Sequence, residues 1–371
     1  MVIGVPKEVK NNENRVSIIP FGVEDLKKSG HTILVQSQAG SGSGFDNETY
    51  SQAGAEIIDS PNEIFQKADL IVKVKEPQPE EFPLIRSDQV LFTYFHFAAD
   101  ETLTSRMSET KAIAIAYETV QNDDGQLPLL IPMSEVAGRM AVQNGAKCLE
   151  GNMGGIGKLL SGVPGVEPAT VTILGGGVVG MNAAKLAAGL GAKVYILDID
   201  ATRLKYLDDI MPPNVITLYS NNHTILELLP KTDLLIGSVL VVGAKAPNLV
   251  NKKNLSLMQK GSVIIDVAVD QGGCVETCKP TTHANPTYEI DGIIHYCVAN
   301  MPGSVPYTST IALANTTYPY IKLIANRGYK SALINDPSLL KGLNIYNGSI
   351  THQGVADAFN FSYCPPWDAL A

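Results

Sequence analysis

Three glycines, Gly175, Gly177 and Gly180, stand in the G-x-G-x-x-G spacing of LGGGVVG, between the β-rich run TVTIL and the helical run VVGMNAAKLAAGLG. Glycine clusters also build ordinary turns, so the spacing alone decides little. The order strand, glycine loop, helix narrows the choice. In such a unit the first glycine permits a tight turn and the second lets backbone approach a pyrophosphate. The third allows the helix to pack closely on the strand. The helix start then offers N–H groups and the positive end of its dipole to phosphate. Further on, KVYILD closes on Asp198, where an acidic side chain accepts hydrogen bonds from ribose hydroxyls. A dinucleotide is the expected ligand. A carboxylate at that place repels the 2′-phosphate of NADP and favours NAD, whereas Arg203 weighs the other way, because an arginine accommodates that phosphate.

The rest of the chain repeats the same grammar. Residues 2–6, 32–36, 69–75, 90–97 and 112–120 read as strands, with helical patterns at 21–29, 61–67 and 100–109. A second series opens with a helix over 134–150, for which Ser134 is the expected N-cap. A glycine-rich connector covers 151–168, then strand 170–174, helix 178–190 and strand 193–198 follow, with further units to about 300. A long helical pattern begins near 304 and runs toward Arg327. At 371 residues the chain exceeds one ordinary core. The expected fold is α/β, with two doubly wound Rossmann-like domains, a cleft between them, and the second inserted in the first. Residues 1–130 and 305–371 would form a discontinuous substrate and catalytic domain, and 131–304 the NAD-binding domain.

Charge and composition exclude several partners. A net charge of −9 argues against nucleic acid, whose phosphates need a basic face. The longest apolar run, Leu234 to Ala244, falls well short of the roughly 20 residues of a membrane helix. The opening MVIGVPKEVK has no secretory pattern. Five scattered cysteines read as reduced thiols in the cytosol, so a cytoplasmic protein is expected. Cys274 and Cys278 lack a histidine pattern beside them, and no metal site is expected.

Ligands of doubly wound sheets bind beyond the carboxyl ends of the strands. Near such ends stand Arg15, Lys75, His96 and Asp270: a guanidinium, an ammonium, an imidazole and a carboxylate that together suit a small anionic substrate. A lone strand histidine is ordinarily a core group. His96 differs in lying near the end of VLFTYFHF, on the face of Tyr94 by two-residue alternation. Lys73 shares the face of Lys75, and only position at the strand end separates them. Asp266 and Asp270 are both candidates, Asp266 with the more structural placing.

The stretches IGVPKEVKNNENRV, KVKEP, LLIPMSEVAGRMA, GGVVGMNAAK, GAKAPNLV, DVAVDQGGC and YCVANMPG together resemble the alanine dehydrogenase family, from Met1 to about Ala371. The resemblance implies reversible NAD-dependent deamination of L-alanine to pyruvate and ammonium by a homohexamer. It makes Arg15 and Lys75 substrate ligands, and His96 and Asp270 the acid/base pair. Around the cofactor it places Ser134, Val178, Val179, Asp198, Arg203, Ser220, Val239, Leu240, Val267, Ala268, Val269, Asp270, Lys279, Val298, Ala299, Asn300 and Met301. Val241 and Val242 stand where relatives often carry an apolar residue and proline, and Tyr307 where an arginine is common. Two other classes share parts of the pattern. A transhydrogenase nucleotide-binding subunit moves hydride between nucleotides, and a non-catalytic NAD sensor would leave His96 and Asp270 without a role.

Overall fold

The computed structural model describes residues 1–239, 246–269 and 272–371. Along the chain its strands are β1 (Val2–Val5), β2 (Thr32–Gln36), β3 (Glu56–Ile58), β4 (Leu70–Val72), β5 (Val90–Thr93), β6 (Ile113–Ala116) and β7 (Thr170–Leu174). There follow β8 (Lys193–Asp198), β9 (Val215–Tyr219), β10 (Leu234–Gly237), β11 (Val263–Asp266), β12 (Thr287–Ile290), β13 (Ile293–Tyr296), β14 (Leu343–Tyr346) and β15 (Ser349–Ile350). They make two sheets, in the orders β15-β14-β6-β5-β4-β1-β2-β3 and β12-β13-β11-β10-β7-β8-β9. β1 to β6 are parallel, with β14 and β15 added antiparallel. The second sheet is parallel except for β12. Taken in sequence order, the parallel part of each sheet runs third, second, first, fourth, fifth, sixth, the doubly wound arrangement.

The chain divides into two compact units, Met1–Met133 with Val305–Ala371, and Ser134–Ser304, so the second is an insertion in the first. In the first unit LIV, VLFT and IAIA of β4, β5 and β6 are buried throughout. Parallel strands covered by helices on both faces need such continuous apolar runs. Ile64, Phe65, Leu91, Phe95, Phe97 and Met107 share one core, and each side chain of that size gains roughly 1.5–3 kcal/mol on burial. In the second unit Leu174, Leu197, Leu235 and Ile264 occupy the corresponding core. Helix starts carry acceptors for their open N–H groups: Ser60 takes Glu63 N, Asp100 takes Leu103 N and Asp200 takes Thr202 N.

Two local expectations are corrected. The helix expected at 134–150 spans Ile131–Cys148, so Ser134 lies inside its first turns and is not its cap. Pro132 explains the earlier start: it lacks an N–H and has a pre-set φ, which suits a first turn. The strands read at 69–75, 90–97 and 112–120 end at Val72, Thr93 and Ala116. Their apolar runs continue because the following residues are buried, as Phe95 and Phe97 are at 1% exposure. Apolarity reports burial; sheet pairing stops sooner.

Candidate functional site

In the first sheet the strand order reverses between β1 and β4, so the loops leaving their carboxyl ends diverge and open a crevice. The loop after β1 carries Glu8, Glu13 and Arg15; the segment after β4 carries Lys73 and Lys75. Arg15 is 2% exposed and is not a surface charge. Glu13 clasps it through Nε–Oε1 at 2.7 Å and Nη2–Oε2 at 2.6 Å, while Nη1 lies 3.1 Å from Met133 Sδ. Burial pushes the Glu13 carboxyl up, but the Arg15 guanidinium outweighs it and holds the group at about 2.

The two lysines part here. Lys73 is 1% exposed, and its ammonium pairs with Glu81 at 2.8 Å and Glu8 at 3.2 Å. Lys75 is partly buried, and among the described residues its ammonium has no ion pair or hydrogen bond. Burial and then the nearby Arg15 charge lower its pKa. A cation that the fold leaves unpaired beside an arginine is suited to an anionic ligand.

His96 lies past the end of β5, exposed, in the left-handed region at φ 57° and ψ 40°. Its ring stacks on Tyr94 with centroids 5.8 Å apart and planes 6° apart. The two residues do share a side, through this turn rather than through strand alternation. Glu118, just beyond β6, accepts the backbone N–H groups of both Phe95 and His96. Those bonds offset part of the strain of a non-glycine residue at positive φ.

In the second sheet the order reverses between β7 and β10. Gly175 follows β7 at φ +100°, a region that favours glycine. A Cβ on Gly180 would come within 1.9 Å of Gly175 O, so only glycine lets the helix Val178–Gly189 seat on the turn. Ser238, which follows β10, donates its hydroxyl to Leu174 O at 2.8 Å and Gly175 O at 2.9 Å. Gly177 begins the helix without a side-chain cap, and a Cβ there would meet nothing within 4 Å. Uncapped N–H groups of Val178 and Val179 beside open backbone fit a pyrophosphate. Asp198 ends β8; its Oδ2 accepts Gly176 N at 2.7 Å and its Oδ1 accepts Asp200 N at 2.9 Å. Arg203 donates Nε to Gly176 O and lies over the Tyr206 ring at 5.1 Å. Ser220 donates its N–H to Asp198 O at 2.8 Å.

The remaining candidates are placed less closely. Val239 follows Ser238, and Val267 donates its N–H to Gly237 O at 2.8 Å, with Ala268 and Val269 buried after it. Val298 is buried, Ala299 donates to Thr281 O at 3.1 Å, Asn300 sits at φ 60°, and Met301 is buried. Lys279 is exposed, its ammonium 4.9 Å from the centre of the Tyr288 ring. Ser134 stands on the helix Ile131–Cys148. Tyr307 is exposed and stacks on Phe45 with centroids 6.1 Å apart. Leu240 and Asp270 lie outside the described residues, as do Val241 and Val242. Asp266 has the structural role its placing suggested. Fully buried, it accepts backbone N–H groups from Ala268, Cys274 and Val275, and burial raises its pKa against those bonds.

Sequence reading missed Glu13, Glu118 and Ser238. Glu13 was within reach, two positions before Arg15 in NNENR. Glu118 and Ser238 carry no local signal, because what they hold is far away in sequence.

Comparison with known proteins places the chain in a family. Residues 4–137 match the alanine dehydrogenase/PNT N-terminal domain and 141–353 the alanine dehydrogenase/PNT C-terminal domain. The chain is 56% identical to an alanine dehydrogenase of Methanococcus maripaludis over 100% of both chains. It is 54% identical to one of Bacillus subtilis, over 100% of this chain and 98% of that one. A solved L-alanine dehydrogenase superposes with a TM-score of 0.94 at 51% identity, covering 97% of this chain and 99% of the other. A transhydrogenase from Sinorhizobium meliloti shares the fold at 23% identity and a TM-score of 0.79, over 95% of this chain and 99% of that one.

Proposed function

The chain belongs to the alanine dehydrogenase/PNT family, and we propose that it catalyses the reversible NAD-dependent oxidative deamination of L-alanine to pyruvate and ammonium. The observation that carries the reading is the buried Arg15 beside a Lys75 whose ammonium the fold leaves unpaired among the described residues. Such a pair suits a small carboxylate, and the inserted unit supplies a dinucleotide loop.

Arg15 and Lys75 bind the substrate carboxylate, with Lys75 also polarising the carbonyl of pyruvate. The loop Gly175 to Gly180 with Val178 and Val179 takes the pyrophosphate, and Asp198 the adenosine ribose. NAD bound there supplies the hydride acceptor, and its reduced form the donor for the reverse direction. His96 and Asp270 move the protons that accompany water addition and ammonia release. A positioned acid or base contributes about 100- to 10,000-fold. Assembly as a cytoplasmic homohexamer belongs to the same reading and has the family resemblance as support. No helix among the described residues is long and apolar enough to cross a membrane.

The test is direct. Pure protein with L-alanine and NAD should generate NADH, followed by absorbance, and NADH with pyruvate and ammonium should be consumed. Hydride exchange between two nucleotides without turnover of alanine would overturn the proposal in favour of a transhydrogenase subunit. Binding of NAD with neither activity would make it a sensor.

A further inference from the structure

Glu8, Lys73 and Glu81 form a buried ionic cluster that the proposed chemistry does not use. All three are at least nine-tenths buried: Glu8 7%, Lys73 1% and Glu81 3% exposed. Each carboxylate divides its two oxygens in the same way. Glu8 gives Oε2 to Lys73 at 3.2 Å and Oε1 to the N–H of Val74 at 2.6 Å. Glu81 gives Oε1 to Lys73 at 2.8 Å and Oε2 to the N–H of Gln78 at 2.8 Å. Val74 and Gln78 flank Lys75 on either side. The Thr93 hydroxyl holds the carbonyl of Lys75 itself at 3.0 Å. Glu76, next in the chain, is paired with Lys10. The backbone that presents Lys75 is thus fastened on both sides, and two of its fastenings end on one buried ammonium.

We propose that Glu8, Lys73 and Glu81 are positioning residues that fix the Lys75 ammonium for the substrate carboxylate. This rests on the reading of Lys75 as a substrate ligand. The design resolves the KVK ambiguity physically: one lysine is spent inside the fold so that its neighbour is held in place. Two carboxylates on one ammonium also leave one negative charge in excess. Either glutamate can therefore lose its charge and still leave Lys73 balanced one to one, so single glutamine variants should keep the fold. A glutamine, however, puts a donor NH2 where one carboxylate oxygen stood, so in the same pose it accepts from only one of Lys73 and the backbone N–H. Misplacing a binding group by about 1 Å can lower activity roughly 100-fold.

The experiment uses the full-length enzyme in reductive amination, with Glu8→Gln and Glu81→Gln each made in the native background and in Lys75→Ala. In the native background each variant should raise the pyruvate KM about tenfold or more, in line with that sensitivity, with NADH affinity unchanged. In the Lys75→Ala background the same changes should move KM less than about twofold, since a residue acting through Lys75 has nothing left to position. Equal effects in both backgrounds, no effect in either, or failure of both variants to fold would overturn the proposal and make the cluster a stability element. If Lys75→Ala alone leaves the pyruvate KM unchanged, the reading of Lys75 itself falls, and the proposal with it.

Discussion

Glu13 and Arg15, two residues apart, lock together as a fork-to-fork ion pair with nitrogen–oxygen distances of 2.7 and 2.6 Å, both side chains nearly sealed from solvent. A guanidinium has five donors, and this contact fixes the plane in which the others lie. Glu13→Gln should therefore weaken pyruvate binding although Glu13 itself need not touch pyruvate. Breaking a buried pair by removing one partner destabilises by about 3–5 kcal/mol, so the thermal midpoint should fall as well. The check is pyruvate KM and melting measured on the same sample. A variant with native values for both would leave the clasp without consequence.

The same pair predicts an acid limb of stability. The Glu13 carboxyl is held at about 2, below its ordinary 4.5. A depressed carboxylate contributes stability that is complete above 4.5 and is lost as pH falls toward 2. The difference corresponds to about 3 kcal/mol for a single group. Urea unfolding at a series of pH values should show this loss between those limits, and Glu13→Gln should show a shallower slope. Identical slopes in the two proteins would refute the assignment.

Lys75 gives a prediction at the other end of the scale. Burial and Arg15 lower its pKa below the ordinary 10.5. Folding thus disfavours the charged form, and that penalty is relieved as pH rises through the lowered value. On the proposed role of Lys75, pyruvate binding runs the opposite way, because it needs the charge. The affinity of the enzyme–NADH complex for pyruvate, read by NADH fluorescence without ammonium present, should decline at a pH below 10.5. Lys75→Arg should push that decline out of reach, since a guanidinium stays charged. An unchanged decline in Lys75→Arg would assign it to another group.

Asp198 holds Gly176 and Asp200 through their N–H groups, so it shapes the glycine loop in addition to its proposed role at the ribose. Asp198→Ala should lower NAD affinity and narrow the preference over NADP, while Arg203, anchored on Gly176 O, remains to meet a 2′-phosphate. Steady-state kinetics with both cofactors test this. Equal use of NAD and NADP by the unaltered enzyme would contradict the role of Asp198.

What the sequence disclosed and withheld follows from the range of each interaction. β7, β8 and the helix Pro61–Lys67 were legible to the residue because their periodicity, glycines and caps are local. β5 was overread by four residues, since Phe95 and Phe97 are as apolar as the strand that precedes them. Lys73 and Lys75 are indistinguishable by alternation. They are told apart only by Glu8 and Glu81, which lie 65 and 8 positions from Lys73. The left-handed turn at His96 has no local signal either, because its main support, Glu118, arrives from just beyond β6.

The last prediction separates an enzyme from a sensor. His96 is exposed, stands on a backbone conformation that a histidine adopts only with support, and stacks on Tyr94. Tyr94 is in turn tied by its hydroxyl to Leu129 O, so the platform beneath the imidazole is fixed. A strained, well-supported and accessible imidazole fits a proton-transfer role better than a packing role. Asp270 is its proposed partner, on the strength of the family resemblance. His96→Ala and Asp270→Asn should each abolish most turnover while the protein stays folded and binds NADH. Their combined loss should fall well short of the product of the single losses, because groups acting as a unit are non-additive. Glu118→Ala should mimic part of the His96 defect by releasing the turn, without touching NADH affinity. Substantial activity in either single variant would dissolve the pair. A fall in NADH affinity as large as the fall in rate for Asp270→Asn would instead make that residue a cofactor ligand only.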